Sequence, residues 1–259
     1  MNHAMKIALR RILIIGVFLA IWEGASGRLM SPFFISRPSA IATRLWSWAI
    51  DGSLFINMAI TAMEAIAGFV IGGVLGALAG LALGRSPVLA ETLNPIINAF
   101  NSLPKVALAP LFIMWFGVGY EMRIIFTAII VFFLVFLNTY SGVRGVSREL
   151  VNVFRLMRAQ ERHLMRMVIV PSAITWIFAG LRLSVPYALI GAIVSEIMAS
   201  NAGLGYLIAY YASQFNAAGV FAALVGVMLL SFLFNAGIRL LERVLMPWQE
   251  VDEQREVTI

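Results

Sequence analysis

The chain of 259 residues contains no cysteine and only two histidines, His3 and His163. Without cysteine, neither a disulfide framework nor a thiolate metal site is possible, and the two histidines lie too far apart in sequence to suggest a metal-binding pair. Charged residues are also scarce, at 12% of the chain. These absences predict no metal site, and they turn attention to the apolar residues.

The sequence also lacks the motifs of catalysis. It has no Gly-rich phosphate-binding loop that ends in Lys-Ser or Lys-Thr, and no Ser, His and Asp set with a credible third member. We therefore expect neither an enzyme nor a cofactor in this chain. Any energy from ATP has to come from another polypeptide.

Hydrophobic residues make up 61% of the chain and the mean hydropathy is +0.91, which indicates an integral membrane protein. We predict an all-α polytopic membrane bundle in one transmembrane domain, residues 1–249, followed by a polar tail, residues 250–259. Each predicted span is near the ~20 residues that a bilayer requires. The six spans cover residues 7–27, 59–83, 93–116, 124–142, 174–198 and 217–239.

The net charge of +6 follows from the short loops between these spans. Most Lys and Arg residues flank the span ends that are cytoplasmic if both termini lie inside, and arginine is densest around the loop 143–171. We therefore predict a multi-pass membrane protein with both termini in the cytoplasm and no nucleic-acid partner. The arginines of this loop and its borders are Arg144, Arg148, Arg155, Arg158, Arg162 and Arg166.

One stretch of this loop is amphipathic. Leu150, Val153, Phe154 and Met157 have the i, i+3, i+4, i+7 spacing of one helical face. A charged helix with an apolar face on the cytoplasmic side favours a protein partner that covers that face. The alternative is a membrane-surface helix whose arginines pair with anionic lipid.

The second predicted span carries a glycine stripe, in which Gly68, Gly72, Gly76 and Gly80 recur every four residues. Glycines four apart remove the side chains from one stripe of a helix and let another backbone approach. We predict a close-packing face here, for a neighbouring helix of this chain or of a second copy. Glu64, one turn before the stripe, is expected at the outer membrane interface.

Five polar residues in the predicted spans are costly to expose to lipid, so we expect them to face the bundle interior or a water-filled translocation path. They are Asn101, Ser102, Lys105, Asn138 and Glu196. Interhelical hydrogen bonding is the alternative role for the two asparagines. Lys105 either offers its charge to an anionic solute or pairs with Glu196 or with carbonyl groups that the preceding proline has freed.

Three blocks of residues carry a resemblance to a known family. They are Val168–Ala173 with Ala179–Arg182, Asn101–Lys105 with Ala109–Leu111 and Trp115–Gly117, and Ser195-Glu196 with Asn201–Ile208. With these blocks at these separations, the chain resembles the sulfonate/nitrate/taurine-type permeases of ABC importers. The resemblance runs from the first span to about Trp248.

The resemblance implies a type I ABC importer permease fold, like that of methionine importers. It also implies a dimer that forms a translocation path, two cytoplasmic ATPase subunits that bind ATP and Mg, and an external solute-binding protein. The implied solute is small and anionic or aromatic, such as a sulfonate, with a thiamine-precursor pyrimidine, bicarbonate or an aromatic carboxylate as alternatives. An ion-coupled secondary transporter is the alternative of another class, although the sequence shows no internal repeat.

The resemblance also places ATPase coupling in the loop 143–171. Counted back from Pro171, the family's Glu-Ala-Ala and Gly positions hold Asn152, Val153, Phe154 and Arg158. Because Arg158 adopts positive φ less cheaply than glycine, we expect a more continuous helix or a turn placed elsewhere. The coupling residues so implied are Leu150, Asn152, Val153, Phe154, Met157, Arg158, Val170 and Pro171.

Overall fold

The computed structural model describes residues 3–27, 35–146, 148–157 and 160–245, and the side chains of a few of these, Leu150 among them, lie outside the description. Helices joined by short turns form nearly all of the described chain. Their bounds are α1 His3–Ala25, α2 Pro38–Ile50, α3 Ser53–Gly84, α4 Pro87–Ser102, a 3-10 turn Lys105–Leu108, α5 Ala109–Phe116, α6 Tyr120–Arg144, α7 Arg148–Leu156, α8 Glu161–Leu164, a π turn Met165–Ile169, α9 Val170–Ala199, α10 Leu204–Ser213 and α11 Ala217–Leu245.

Among the described residues, four helices are long and apolar enough to cross a membrane, rather than the six predicted. They are Ser53–Gly84, Tyr120–Arg144, Arg162–Ala199 and Ala217–Leu245. The third predicted span is broken, because Glu91–Ser102 and Lys105–Phe116 meet at an angle of 79°, and it makes a fifth span if the bent pair is one. The first predicted span forms α1, but Arg10, Arg11 and Glu23 interrupt its apolar run.

The loop 143–171 is shorter than its predicted bounds, because the helix that follows begins at Glu161 rather than near 174. Pro171 has no backbone N–H and therefore cannot complete the regular i to i−4 hydrogen bonding. The chain accommodates it with the π turn, in which the N–H of Val170 donates to the carbonyl of Met165. Val170 and Pro171 thus lie in the first turn of α9.

The chain divides into two compact units. The first comprises residues up to Thr61 together with Glu196–Met228, and the second comprises Ala62–Ser195 together with the chain from Leu229 onward. The core of the first unit is formed by buried side chains of α2, α3 and α11, against which Tyr211 of α10 packs. The buried members are Ile41, Trp48, Leu54, Ala222 and Ala223.

In the second unit, α6 lies between α3 and α9, and each contact keeps one register along its length. It packs parallel to α3, since a Cβ added to Gly68, Gly80 or Gly84 would lie 2.6 to 2.7 Å from the Cβ of Thr127, Thr139 or Val143. The predicted close-packing face is thereby confirmed. Antiparallel to α6, α9 brings Gly180 against Asn138, Gly191 against Thr127, and Trp176 against Gly142.

Candidate functional site

The amphipathic segment forms the helix α7, which ends at Leu156, and the next helix starts at Glu161. The N–H of Met157 still donates to the carbonyl of Val153 at 3.0 Å, so Met157 completes the last turn. The described part of the loop therefore has two helical pieces, one that ends at Leu156 and one that begins at Glu161. Arg158 itself lies outside the described residues.

The apolar side chains of α7 are exposed. Val153 is 50% exposed and Met157 is 74% exposed, while Phe154 is half-buried and Asn152 is exposed. Leu156, at 83%, is more exposed than Val153 and Met157 and was absent from the predicted stripe. The apolar spacing did not predict Leu156, because successive residues lie about 100° apart around a helix and Leu156 is one position away from the predicted face. An uncovered apolar patch on a short charged helix is suited to a protein contact.

The polar residues of the third predicted span gather at its break. Asn101 and Ser102 end α4 and are exposed, and Lys105 begins the 3-10 turn after Pro104. The Nζ of Lys105 donates to the carbonyl oxygen of Asn101 at 3.2 Å and lies 5.2 Å from the ring centroid of Phe133. Of the two predicted structural partners, the freed carbonyl is therefore the one that Lys105 contacts. A basic group at a helix C-terminus also interacts favourably with the helix dipole.

Asn138 lies on α6 at the contact with Gly180 of α9. Its Nδ2 donates to the carbonyl oxygen of Leu134, one turn earlier in the same helix, at 2.8 Å. This side chain is half-buried and satisfies its donor locally. This bond lies within α6 and is therefore not the interhelical hydrogen bond that was the alternative, and the path-lining role of Asn138 stays a prediction.

Glu196 is fully buried in the first unit, close to the start of α10. Its Oε1 accepts a hydrogen bond from the hydroxyl of Thr61 at 2.7 Å, and its Oε2 accepts one from the N–H of Gly205 at 2.6 Å. The first turn of a helix presents N–H groups without intrahelical partners. Glu196 therefore acts as a cap for α10 that is supplied from another helix.

Two residues of α3 complete this cap. Asn57 Oδ1 accepts from the N–H of Gly203 at 2.7 Å, and the Oγ1 of Thr61 accepts from the N–H of Leu204 at 2.9 Å. Gly203 has φ of +103°, and a Cβ at this position would overlap the carboxylate of Glu196. The turn before α10 therefore requires glycine for its conformation and for its space.

Glu64 makes a contact that the sequence did not predict. This residue is fully buried in the second unit, and its Oε1 lies 2.8 Å from the Nε of Arg123. Arg123 lies in the first turn of α6, is buried, and places its guanidinium carbon 4.8 Å from the ring centroid of Tyr120. Neither residue showed a local pattern, so sequence reasoning did not pair them.

The fold and these sites define a multi-pass α-helical membrane protein with a short amphipathic loop between two of its spans. Residues 72–246 match the model of the family described as "Binding-protein-dependent transport system inner membrane component". The chain belongs to this family. It is thus a permease component of an ABC transporter, located in the inner membrane, and the expectation of an ABC importer permease is confirmed.

Relatives align over most of the chain. It is 32% identical to the formylaminopyrimidine transport permease protein ThiX of Halalkalibacterium halodurans, over 94% of this chain and 97% of that protein. It is 33% identical to the putative aliphatic sulfonates transport permease protein SsuC of Bacillus subtilis, over 93% and 88%. The taurine transport system permease protein TauC of Escherichia coli is 28% identical, over 88% and 84%.

Two solved structures show the same fold. The inward-facing MetNI methionine ABC transporter aligns with a TM-score of 0.59 at 19% identity, over 77% of this chain and 97% of that chain. An amino acid ABC transporter with histidines aligns with a TM-score of 0.60 at 21% identity, over 77% and 97%. The predicted type I importer permease fold is confirmed.

Proposed function

We propose that two copies of this chain form the translocation path of an ABC importer. The spans of one copy line only part of a central path, so a symmetric second copy completes it. Two ATPase subunits work on the cytoplasmic side, where both termini also lie, and an external binding protein delivers the solute. ATP and Mg are bound by the ATPase subunits.

The exposed patch of α7 is the observation that carries this proposal. Val153, Leu156 and Met157 present apolar surface, while the half-buried Phe154 contributes an aromatic ring. Aromatic side chains set among other apolar groups are the common anchors of protein interfaces. We assign the covering partner as the ATPase subunit and Phe154 as the anchor in its groove.

The proposed path runs past the break at Asn101–Lys105, where three of the predicted polar residues, Asn101, Ser102 and Lys105, lie close together in the chain. The proposed solute is a small anion or planar aromatic molecule. This proposal follows the printed functions of the relatives, which include aliphatic sulfonates, taurine and formylaminopyrimidine. Selectivity resides mainly in the binding protein, so bicarbonate and aromatic carboxylates remain alternatives for the same architecture.

The coupling proposal is tested with the reconstituted complex. Phe154→Ala is expected to lower solute-stimulated ATP hydrolysis and to weaken association with the ATPase subunit, because loss of a central aromatic anchor costs about 2 kcal/mol or more. Leu240→Ala removes an equally apolar, exposed side chain from α11 and serves as the control. Stimulation that is equal in both variants contradicts the assignment.

The solute is tested separately by calorimetry of the partner binding protein against taurine, an alkanesulfonate, a formylaminopyrimidine, bicarbonate and an aromatic carboxylate. Tight binding of one of the first three supports the solute class. Binding of none of the five overturns the solute class and leaves the coupling result unaffected.

A further inference from the structure

The contact between α3 and α6 is a repeat with a period of one helical turn. Gly68, Gly76, Gly80 and Gly84 of α3 each face the α6 residue 59 positions later, and Gly72 lies between the turns of Ala128 and Phe132. The glycines therefore meet α6 in one constant register, lying nearest its side chains at Gly68, Gly80 and Gly84 and nearest its backbone carbonyls at Gly72 and Gly76. The facing residues of α6 are Thr127, Val135, Thr139 and Val143.

Such a repeat does not define a single register. If α3 moves along α6 by four residues, about 6 Å, each glycine reaches the position that its neighbour has left. Gly72 then faces Thr127, and Gly84 faces Thr139. The interior of the glycine stripe is nearly the same before and after this movement, so its packing alone discriminates poorly between the two arrangements.

The other face of α6 does not have this ambiguity. There Gly142 receives the indole of Trp176, and Gly180 and Gly191 of α9 are eleven residues apart. A large side chain that packs against one glycine fits at a single position when no other glycine lies four residues away. The α6–α9 register is therefore fixed by shape.

The α3–α6 contact contains one pair that does not repeat. Glu64 precedes Gly68 by one turn and Arg123 precedes Thr127 by one turn, so the ion pair has the same offset of 59 as the glycines. Both residues are buried, with exposed fractions of 0% and 5%. A movement of one turn separates the two charges, and an uncompensated buried charge is strongly disfavoured.

We infer that the Glu64–Arg123 pair fixes the register of α3 against α6. Within the α3–α6 contact, the glycine stripe supplies close approach and the ion pair selects one of the similar one-turn settings, in addition to the hydrogen bonds that Asn57 and Thr61 of α3 make in the first unit. Buried polar groups have this role in coiled coils, where one polar residue specifies register. The inference concerns the assembly of the second unit and does not depend on the solute or on the ATPase partner.

Disulfide cross-linking tests the register directly, because the chain has no native cysteine. Gly84→Cys with Val143→Cys reports the native register, since the two Cβ positions lie 2.7 Å apart at the end of α3. A small separation of the two helices brings this distance to the ~3.8 Å between the Cβ atoms of a disulfide. Gly84→Cys with Thr139→Cys and Gly80→Cys with Val143→Cys report movement by one turn in either direction.

Each cysteine pair is placed in three backgrounds of the full chain in membranes. These are the unmodified protein, the double variant Glu64→Met with Arg123→Met, and the control Arg182→Met with Glu242→Met. The control removes another ion pair of the second unit, which joins α9 to α11 and does not involve the α3–α6 contact. Because the same cysteine pair is compared across backgrounds, any strain that it introduces cancels.

In the unmodified and control backgrounds, we expect the native-register cross-link and neither of the one-turn cross-links. In the Glu64→Met, Arg123→Met background, a one-turn pair is expected to rise from background to a yield comparable with that of the native pair. A native cross-link alone in that background overturns the inference. Failure of that double variant to fold, while the control folds, also overturns it, because the ion pair then supplies stability rather than register.

Discussion

The two units each bury a glutamate completely, and they stabilise it in different ways. In the first unit, Glu196 accepts hydrogen bonds from the Thr61 hydroxyl and the Gly205 N–H. In the second unit, Glu64 lies against the guanidinium of Arg123. A carboxylate at a helix N-terminus is stabilised by backbone dipoles, whereas a carboxylate in an ion pair depends on a second charge that is itself buried.

This difference determines what each site tolerates. The cap at Glu196 requires acceptor oxygens in a fixed position, and a neutral amide provides one of them. The pair in the second unit requires charge balance, so removal of one member leaves the other buried without the opposite charge that it faces. We therefore expect the second unit to be more sensitive to substitution than the first, and four predictions examine this contrast.

The largest effect is expected at the glycine stripe. In Gly72→Leu the new side chain overlaps the carbonyl of Ala128, so α3 and α6 separate and the second unit loses its main contact. We expect little folded protein, measured as the monodisperse fraction after detergent extraction. Gly237→Leu is the control, because a Cβ there meets no atom within 4 Å. Normal yield of Gly72→Leu contradicts the packing described for α3.

The next effect is expected for Arg123→Met, which leaves the Glu64 carboxylate buried without its cation. Breaking a buried pair in this way costs about 3 to 5 kcal/mol, measured as a lower thermal unfolding midpoint in detergent. Arg182→Met is the matched control, since its guanidinium is more than half exposed and exposed pairs contribute about 1 kcal/mol or less. Equal unfolding midpoints for Arg123→Met and Arg182→Met would show that burial of the ion pair does not change its contribution to stability. Adding Glu64→Met to Arg123→Met is expected to recover stability.

A smaller effect is expected for Gly203→Ala in the first unit. Positive φ at a residue other than glycine costs about 1 to 3 kcal/mol, and the added methyl group also overlaps the Glu196 carboxylate. Gly52→Ala, with φ of +80° and no atom within 4 Å of the new Cβ, isolates the conformational cost. The difference between the two unfolding midpoints measures the overlap, and a difference of zero refutes the close contact.

The smallest effect is expected for Glu196→Gln. The amide oxygen retains one hydrogen bond, while the amide NH2 opposes a donor, so the loss is about 1 to 2 kcal/mol. The thermal unfolding midpoints of Glu196→Gln and Glu64→Gln are compared directly, because Glu64→Gln leaves the buried Arg123 without the carboxylate that it faces. A larger loss for Glu196→Gln would reverse the interpretation of the two sites.

Much of the site was predictable because its signals are local. The helix α7 and two of its exposed residues, Val153 and Met157, follow from the apolar spacing, and the bend after Ser102 follows from Pro104, which interrupts helical hydrogen bonding. Span ends were less predictable. The helix through Pro171 continues back to Glu161 because a π turn absorbs the missing N–H, an adjustment that composition does not indicate.

The sequence by itself determined the membrane location, the helical class, the glycine face of α3 and the membership of the permease family, since each depends on composition or on spacings within one segment. Only the tertiary structure decided the partners of the charges. Glu64 meets Arg123 across 59 residues, and Glu196 caps a helix together with Thr61, 135 residues away in the chain. The physical reason is that periodicity specifies which face of a helix is buried, whereas the helix that covers that face, and in which register, is set by packing between distant segments.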